Sequence, residues 1–217
     1  MMSNSNKNKR YIENLPKFKV EPLDENNVKY VCGFRSALDS KNQYAEYSIG
    51  EYLVNDAYED QKSGKGMTYL IINKDSNKVI AFFTISTASL MILLEHDGDE
   101  RSNADLIIEN FISIPSVKID YFAVDVDYQD LFFEDLPLSA HIFNTIILIL
   151  CNMSNTKIGF QAIFLYSLES SKKFYVRNGL SKMTDSFVAS EGVPINDVSD
   201  LLYMFIYKQN IDDFVKK

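Results

Sequence analysis

Three consecutive segments in the C-terminal half constrain this chain most. Lys118–Val126 (KIDYFAVDV) reads as a strand, Ser139–Met153 is apolar nearly all the way round, and Gly159–Ser167 (GFQAIFLYS) is again a strand with buried character. A helix that is apolar on most faces must be covered on most faces. Set between two strands, it reads as the crossover of a mixed α/β domain. Ligands of open α/β sheets sit at the carboxyl ends of strands. That rule points to the end of Lys118–Val126 and the start of the helix after it.

The other elements follow from local pattern. Phe18–Leu23 alternates apolar and polar residues and ends at proline, an edge-type strand. Asn26–Ser36 suggests a short helix with a turn. Tyr47, Ile49, Tyr52, Leu53 and Ala57 fall at helical spacing, with Asp56, Glu59 and Asp60 opposite, and the helix stops near Ser63–Gly66. Met67–Ile72 and Val79–Ser86 form a hairpin around the turn cluster Asn73–Asn77. Glu95–Asn110 is acidic and reads as a loop with a short helix. Ser170–Asn178 is a helix closed by Gly179, and Leu201–Tyr207 (LLYMFIY) is the last strand.

With 217 residues and no internal linker, the expectation is a disordered segment over residues 1–12 and one domain over 13–217. The net charge of −8 disfavours broad nucleic-acid binding. The N-terminus lacks an apolar segment of signal-peptide length, and the apolar run Ile146–Cys151 is too short to span a bilayer. Cys32 and Cys151 are accordingly expected to be reduced and buried, in a cytoplasmic protein with no membrane contact. Neither has a nearby histidine to activate it, and His96 and His141 lie in unrelated contexts, so no metal site is expected.

Four segments, in order, resemble the GNAT-superfamily N-acetyltransferases, particularly the branch that acetylates aminoacyl-tRNA. They are Glu51–Leu53 with Asp56–Ala57 and Met67–Leu70; Val79–Ser86; Ile114–Ile119 with Phe122–Asp125 and Tyr128–Gln129; and Lys173–Leu180, carrying the Phe174-Tyr175 pair before Gly179. Together they span roughly residues 18–207. The resemblance implies a GNAT fold: a mixed, mostly antiparallel central sheet flanked by helices and splayed between its two central strands. It implies acetyl-CoA as cosubstrate and a primary amine as acceptor, on a small molecule, a protein or an aminoacyl-tRNA. A homodimer is a further expectation, and nucleic acid is expected only as tRNA.

The resemblance also implies site roles. The pantetheine arm would lie along Phe122, Ala123 and Val124 as an added strand. The pyrophosphate would rest at a helix start, here Ser139, Ala140 and His141, with Ser171 as a secondary contact. Tyr175 would protonate the departing thiolate, its phenol near pKa 10 being comparable to a thiol of about 8 to 10. Asp120 would assist the attacking amine directly or through water.

One departure is large. Where the family carries a Gly-x-Gly-x-Gly/Ala loop, this chain has Asp130–His141 (DLFFEDLPLSAH), with no glycine, three acids and a proline that removes one amide donor. Leu168 also stands where many relatives carry asparagine. Several readings stay open. Tyr175 is the catalytic acid or a core aromatic, and His141 a phosphate contact or a solvated first-turn residue. Asp120 and Asp125 are relays or solvated strand-end carboxylates. Phe132 and Phe133 pin the loop or cover the site. The chain as a whole is an acetyltransferase, or a non-catalytic GNAT-fold binding or regulatory protein that has lost CoA binding. A toxin paired with a small antitoxin is a third reading.

Overall fold

The computed structural model describes residues 9–36, 49–93, 111–183, 187–188 and 201–215. In chain order these form β1 (Arg10–Ile12), β2 (Phe18–Pro22), α1 (Ile49–Asn55), α2 (Ala57–Lys62), β3 (Met67–Asn73), β4 (Val79–Leu93), β5 (Phe111–Val124) and α3 (Val126–Gln129). There follow β6 (Leu131–Phe133), β7 (Leu136–Pro137), α4 (Leu138–Thr156), β8 (Ala162–Leu168), α5 (Lys172–Arg177), β9 (Ser181–Lys182), β10 (Phe187–Val188), β11 (Leu201–Tyr207) and α6 (Lys208–Val215). The main sheet runs β2-β3-β4-β5-β8-β11-β9, with β10 pairing β4, and a separate small sheet runs β1-β6-β7. The chain divides into two compact units, residues 1–86 with 120–146, and residues 87–119 with 147–217.

In the first unit, β2 and β3 pair antiparallel from Phe18↔Asn73 to Pro22↔Tyr69, and β3 pairs β4 from Met67↔Ile85 to Ile72↔Val79. Leu70, Ile72, Val79 and Phe82 pack with Leu53, Ala57, Leu23 and Val31 in one core. Each large side chain wholly removed from water there contributes about 1.5–3 kcal/mol. The amphipathic helix expected over residues 47–62 is two helices, broken at Asp56, whose backbone leaves helical geometry at φ −120 and ψ −29. The short helix expected over Asn26–Ser36 is a single 3-10 stretch, Val28–Gly33. Its Cys32 is exposed, which corrects the expectation of a buried thiol.

In the second unit, β8 is paired on both sides. It runs parallel to β5 through Ser116↔Ala162 to Ile119↔Leu165, and antiparallel to β11 through Leu201↔Leu168 to Tyr207↔Ala162. A strand paired on both edges and covered on both faces is apolar throughout, which is why Ala162–Leu165 are all buried. The parallel ladder ends at Ile119↔Leu165 although both strands run on, β8 to Leu168 and β5 to Val124.

Helix α4 starts at Leu138, one residue before the expected start, and buries Leu138, Ile142, Phe143, Ile146, Ile147 and Leu150. By length and composition alone its 19 residues would suffice to cross a membrane, but a core helix satisfies the same test when its apolar stripe is buried. The opposite side is less covered than its composition suggested, with Leu148 exposed. The acidic stretch Glu95–Asn110 and His96 lie outside the described residues.

Candidate active site

The end of β5 is fixed from both faces. Tyr121 and Ala123 face the first-unit core, Tyr121 stacking on Tyr52 with ring centroids 3.8 Å apart. Phe122, on the other face, meets Phe143 of α4 at 5.3 Å. The Val124 carbonyl accepts a hydrogen bond from the Gln129 side-chain amide at 2.8 Å. Asp120 is half-buried and its charge helps raise the Tyr121 phenol, after the larger effect of burial.

Asp125 corrects the expectation of a solvated carboxylate, because its side chain is wholly buried. Its oxygens accept from the amides of Arg35 (3.1 Å) and Asp127 (3.0 Å) and lie 3.4 Å from the Lys78 ammonium. It is the N-cap of α3 and a structural tie, buried away from any incoming amine. Outside it, Arg35, Lys78 and Arg10 converge on Asp127, the first two on its carboxylate and Arg10 on its carbonyl. The Lys78 hydrogen bond and charge hold the Asp127 carboxyl below its usual range.

The glycine-free segment is a β-hairpin. Strands β6 and β7 pair through Phe132↔Pro137 and Phe133↔Leu136, with Glu134 in the turn at φ 52. Strand β1 runs parallel to β6 on its other side, in the register Arg10↔Leu131 to Ile12↔Phe133. Arg10–Ile12, within the segment expected to be disordered through residue 12, thus form a strand. The acids Asp130, Glu134 and Asp135 are all exposed. Phe132 meets Tyr11 at 5.8 Å and Phe133 stands edge-on to His141 at 5.7 Å, so these aromatics pin the hairpin.

The hairpin leads straight into α4. Ser139 is half-buried and Ala140 buried, and the amides of a first helical turn have no acceptor within the helix. His141 has a buried Nε2 atom without a hydrogen-bond partner among the described residues. Helix-start amides, a hydroxyl and an orphaned imidazole nitrogen suit an anionic phosphate. The hairpin itself does not, since β6 is paired on both sides.

The second unit carries Ser171 and Tyr175. Ser171 closes the 3-10 turn Glu169–Ser171 and starts α5 without a side-chain cap. Gly179, at φ 86, ends that helix as expected, and the Tyr175 carbonyl accepts the Leu180 amide at 3.0 Å. Burial pushes the Tyr175 phenol up to about 12, above the value near 10 assumed from the sequence. A thiol titrates near 8.5, so full transfer of this proton to a thiolate is uphill by more than three powers of ten, and the phenol is better suited to donate a hydrogen bond.

A feature the sequence did not announce is a buried hydroxyl cluster behind β5. Thr68 and Thr84 face each other across β3 and β4, their oxygens 2.8 Å apart. Burial raises the nearby Tyr52 phenol to about 12, an effect that the Thr84 and Thr68 hydroxyls partly offset. The matched positions of the two threonines in the hairpin were the available signal. The open polar cleft lined by Lys19, Glu21, Asp24 and Tyr30 contains none of the candidate residues.

No family profile matches the sequence. Among solved structures, a KacT mutant with one tyrosine replaced by phenylalanine matches at TM-score 0.59 and 15% identity, over 90% of this chain and 98% of that one. AtaTR bound with acetyl-CoA matches at TM-score 0.60 and 14% identity, over 91% and 98%. AtaT complexed with acetyl-methionyl-tRNAfMet matches at TM-score 0.58 and 14% identity, over 92% and 99%. The chain has the GNAT fold of these toxins. At such identity the likeness is one of architecture. Within that GNAT fold, this chain has a strapped hairpin between β5 and α4 in place of a glycine loop.

Proposed function

We propose that the protein is an acetyl-CoA-dependent N-acetyltransferase acting on the primary amine of an aminoacyl-tRNA, in the cytoplasm. The observation that carries this reading is the end of the β5–β8 ladder at Ile119↔Leu165. Beyond it, an extended acyl-pantetheine arm would lie along β5 over Phe122–Val124 and pair as a strand does. The amides of Phe122–Val124 would polarise the thioester carbonyl and the amine would attack it, with Asp120 accepting the amine's proton through water. Tyr175 would stabilise the leaving thiolate by hydrogen bonding. The first turn of α4, with Ser139, Ala140 and His141, would hold the pyrophosphate, and Ser171 would add a contact. The acetyl-CoA and acetyl-methionyl-tRNA complexes of the structural neighbours support the choice of cosubstrate and acceptor.

A calorimetric titration with acetyl-CoA, followed by transfer of labelled acetyl groups to a panel of aminoacyl-tRNAs, tests this reading. Saturable binding and an acetylated amine are expected; no binding at millimolar cosubstrate would overturn it. The second reading is a GNAT-fold binding protein without CoA. It is favoured by the glycine-free hairpin with exposed acids at Asp130, Glu134 and Asp135, and it predicts that null titration.

A further inference from the structure

We propose that the N-terminal strand β1 is a strap that holds the phosphate end of the cosubstrate site, with Arg10 as its positioning residue. The inference rests on the acetyl-CoA reading above. Strands β6 and β7 share only two register pairs, and a two-stranded hairpin is marginal by itself. This one also carries Glu134 at φ 52 in its turn, a left-handed conformation that is unfavourable for a side chain other than glycine. Its support comes from the opposite end of the sequence.

Strand β1 makes the hairpin three-stranded, adding three parallel pairs. Arg10 is tied twice, by its amide to the Asp130 carbonyl at 3.1 Å and by its guanidinium to the Asp127 carbonyl at 2.6 Å. Lys9 places its ammonium 4.9 Å from the Phe132 ring centre, and Tyr11 packs on the same ring. Ile12 lies opposite Phe133, and Phe133 contacts His141 in the first turn of α4. One unbroken run of contacts therefore joins the strap to the helix start. A glycine-rich loop presents its own amides to a phosphate. The β6 backbone is committed to its two neighbouring strands, so the hairpin contributes position alone, and that position depends on β1.

The test compares the full chain, a chain lacking residues 1–12, Arg10→Ala and Arg10→Lys. Deletion is expected to weaken acetyl-CoA binding by about tenfold or more, since small displacements of binding groups are costly. KM for acetyl-CoA rises while kcat stays within about twofold, because the strap touches no reacting atom. Amide hydrogen exchange speeds up over residues 131–137 and stays unchanged over 67–85. Arg10→Ala follows the deletion and Arg10→Lys recovers most of the loss; these two decide the matter if the shortened chain does not fold. Binding within about twofold of the full chain, with unchanged exchange over 131–137, overturns the strap. If the full chain itself binds no acetyl-CoA, the reaction reading fails, and exchange over 131–137 alone decides for or against the strap.

Discussion

The ammonium of Lys78 lies 3.4 Å from the carboxylate of Asp125, which is wholly buried immediately after the strand that would bind the acyl arm. Removing the buried carboxylate leaves its donor amides unsatisfied, at a cost of about 1–3 kcal/mol, while Lys78 keeps Asp127 as a partner. Asp125→Ala should therefore lower the unfolding free energy read from urea titration by an amount in that range, since the amides of Arg35 and Asp127 lose their acceptor. A loss under about 1 kcal/mol would show that water replaces the carboxylate.

The turn of the hairpin gives a prediction of opposite sign. Glu134 sits at φ 52, where glycine avoids a penalty of roughly 1 kcal/mol. Glu134→Gly should raise thermal stability slightly. It should not tighten acetyl-CoA binding, because the β6 amides stay committed to pairing. A gain in affinity, read by calorimetry, would mean that the hairpin binds phosphate directly.

Tyr175→Phe should leave acetyl-CoA affinity unchanged and lower kcat on the order of 10²-fold, the loss expected for one donor to a developing anion. Single-turnover kinetics separate the two effects. An unchanged rate would return Tyr175 to the role of a core aromatic packed on Phe174.

Alkaline stability should depend on the two phenols raised furthest. Tyr52 and Tyr175 move from 10.0 to about 12 on folding, in both cases chiefly through burial. Between those values the unfolded chain has released protons that the folded chain retains, so stability is fully present below pH 10 and falls as pH rises toward 12. The slope is at most about 1.4 kcal/mol per pH unit for each phenol. Thermal melts across that range should show a smaller alkaline loss for Tyr52→Phe than for the parent chain, relative to each at neutral pH.

The hydroxyl pair behind β5 should show coupling. Thr84→Val leaves the buried Thr68 hydroxyl short of a partner, at a cost of about 1–3 kcal/mol. Adding Thr68→Val should cost less than it does alone, and a double-mutant cycle measures the difference.

Local periodicity was enough to place most of the elements. The alternation in Phe18–Pro22, the paired apolar runs around Asn73–Asn77, the unbroken apolar strand at Ala162–Leu165 and the glycine that caps α5 each carry their signal within a few residues. That much follows from side-chain geometry along a strand or helix, and with the ordered motifs it was enough to indicate the GNAT fold. Arg10–Ile12 has no such signal: three residues in a polar context become a strand only because Leu131–Phe133 lies beside them, and a pairing so distant in sequence leaves no local pattern. The burial of Asp125 depends on where Arg35 and Lys78 arrive, and the strong hold of Tyr175 on its proton depends on what surrounds the ring. Residue pattern alone was enough for the order of the main elements and for the absence of glycine between β5 and α4. Only tertiary structure decided that the replacement is a hairpin strapped by the N-terminus, because contacts between distant segments, rather than local preference, select its conformation.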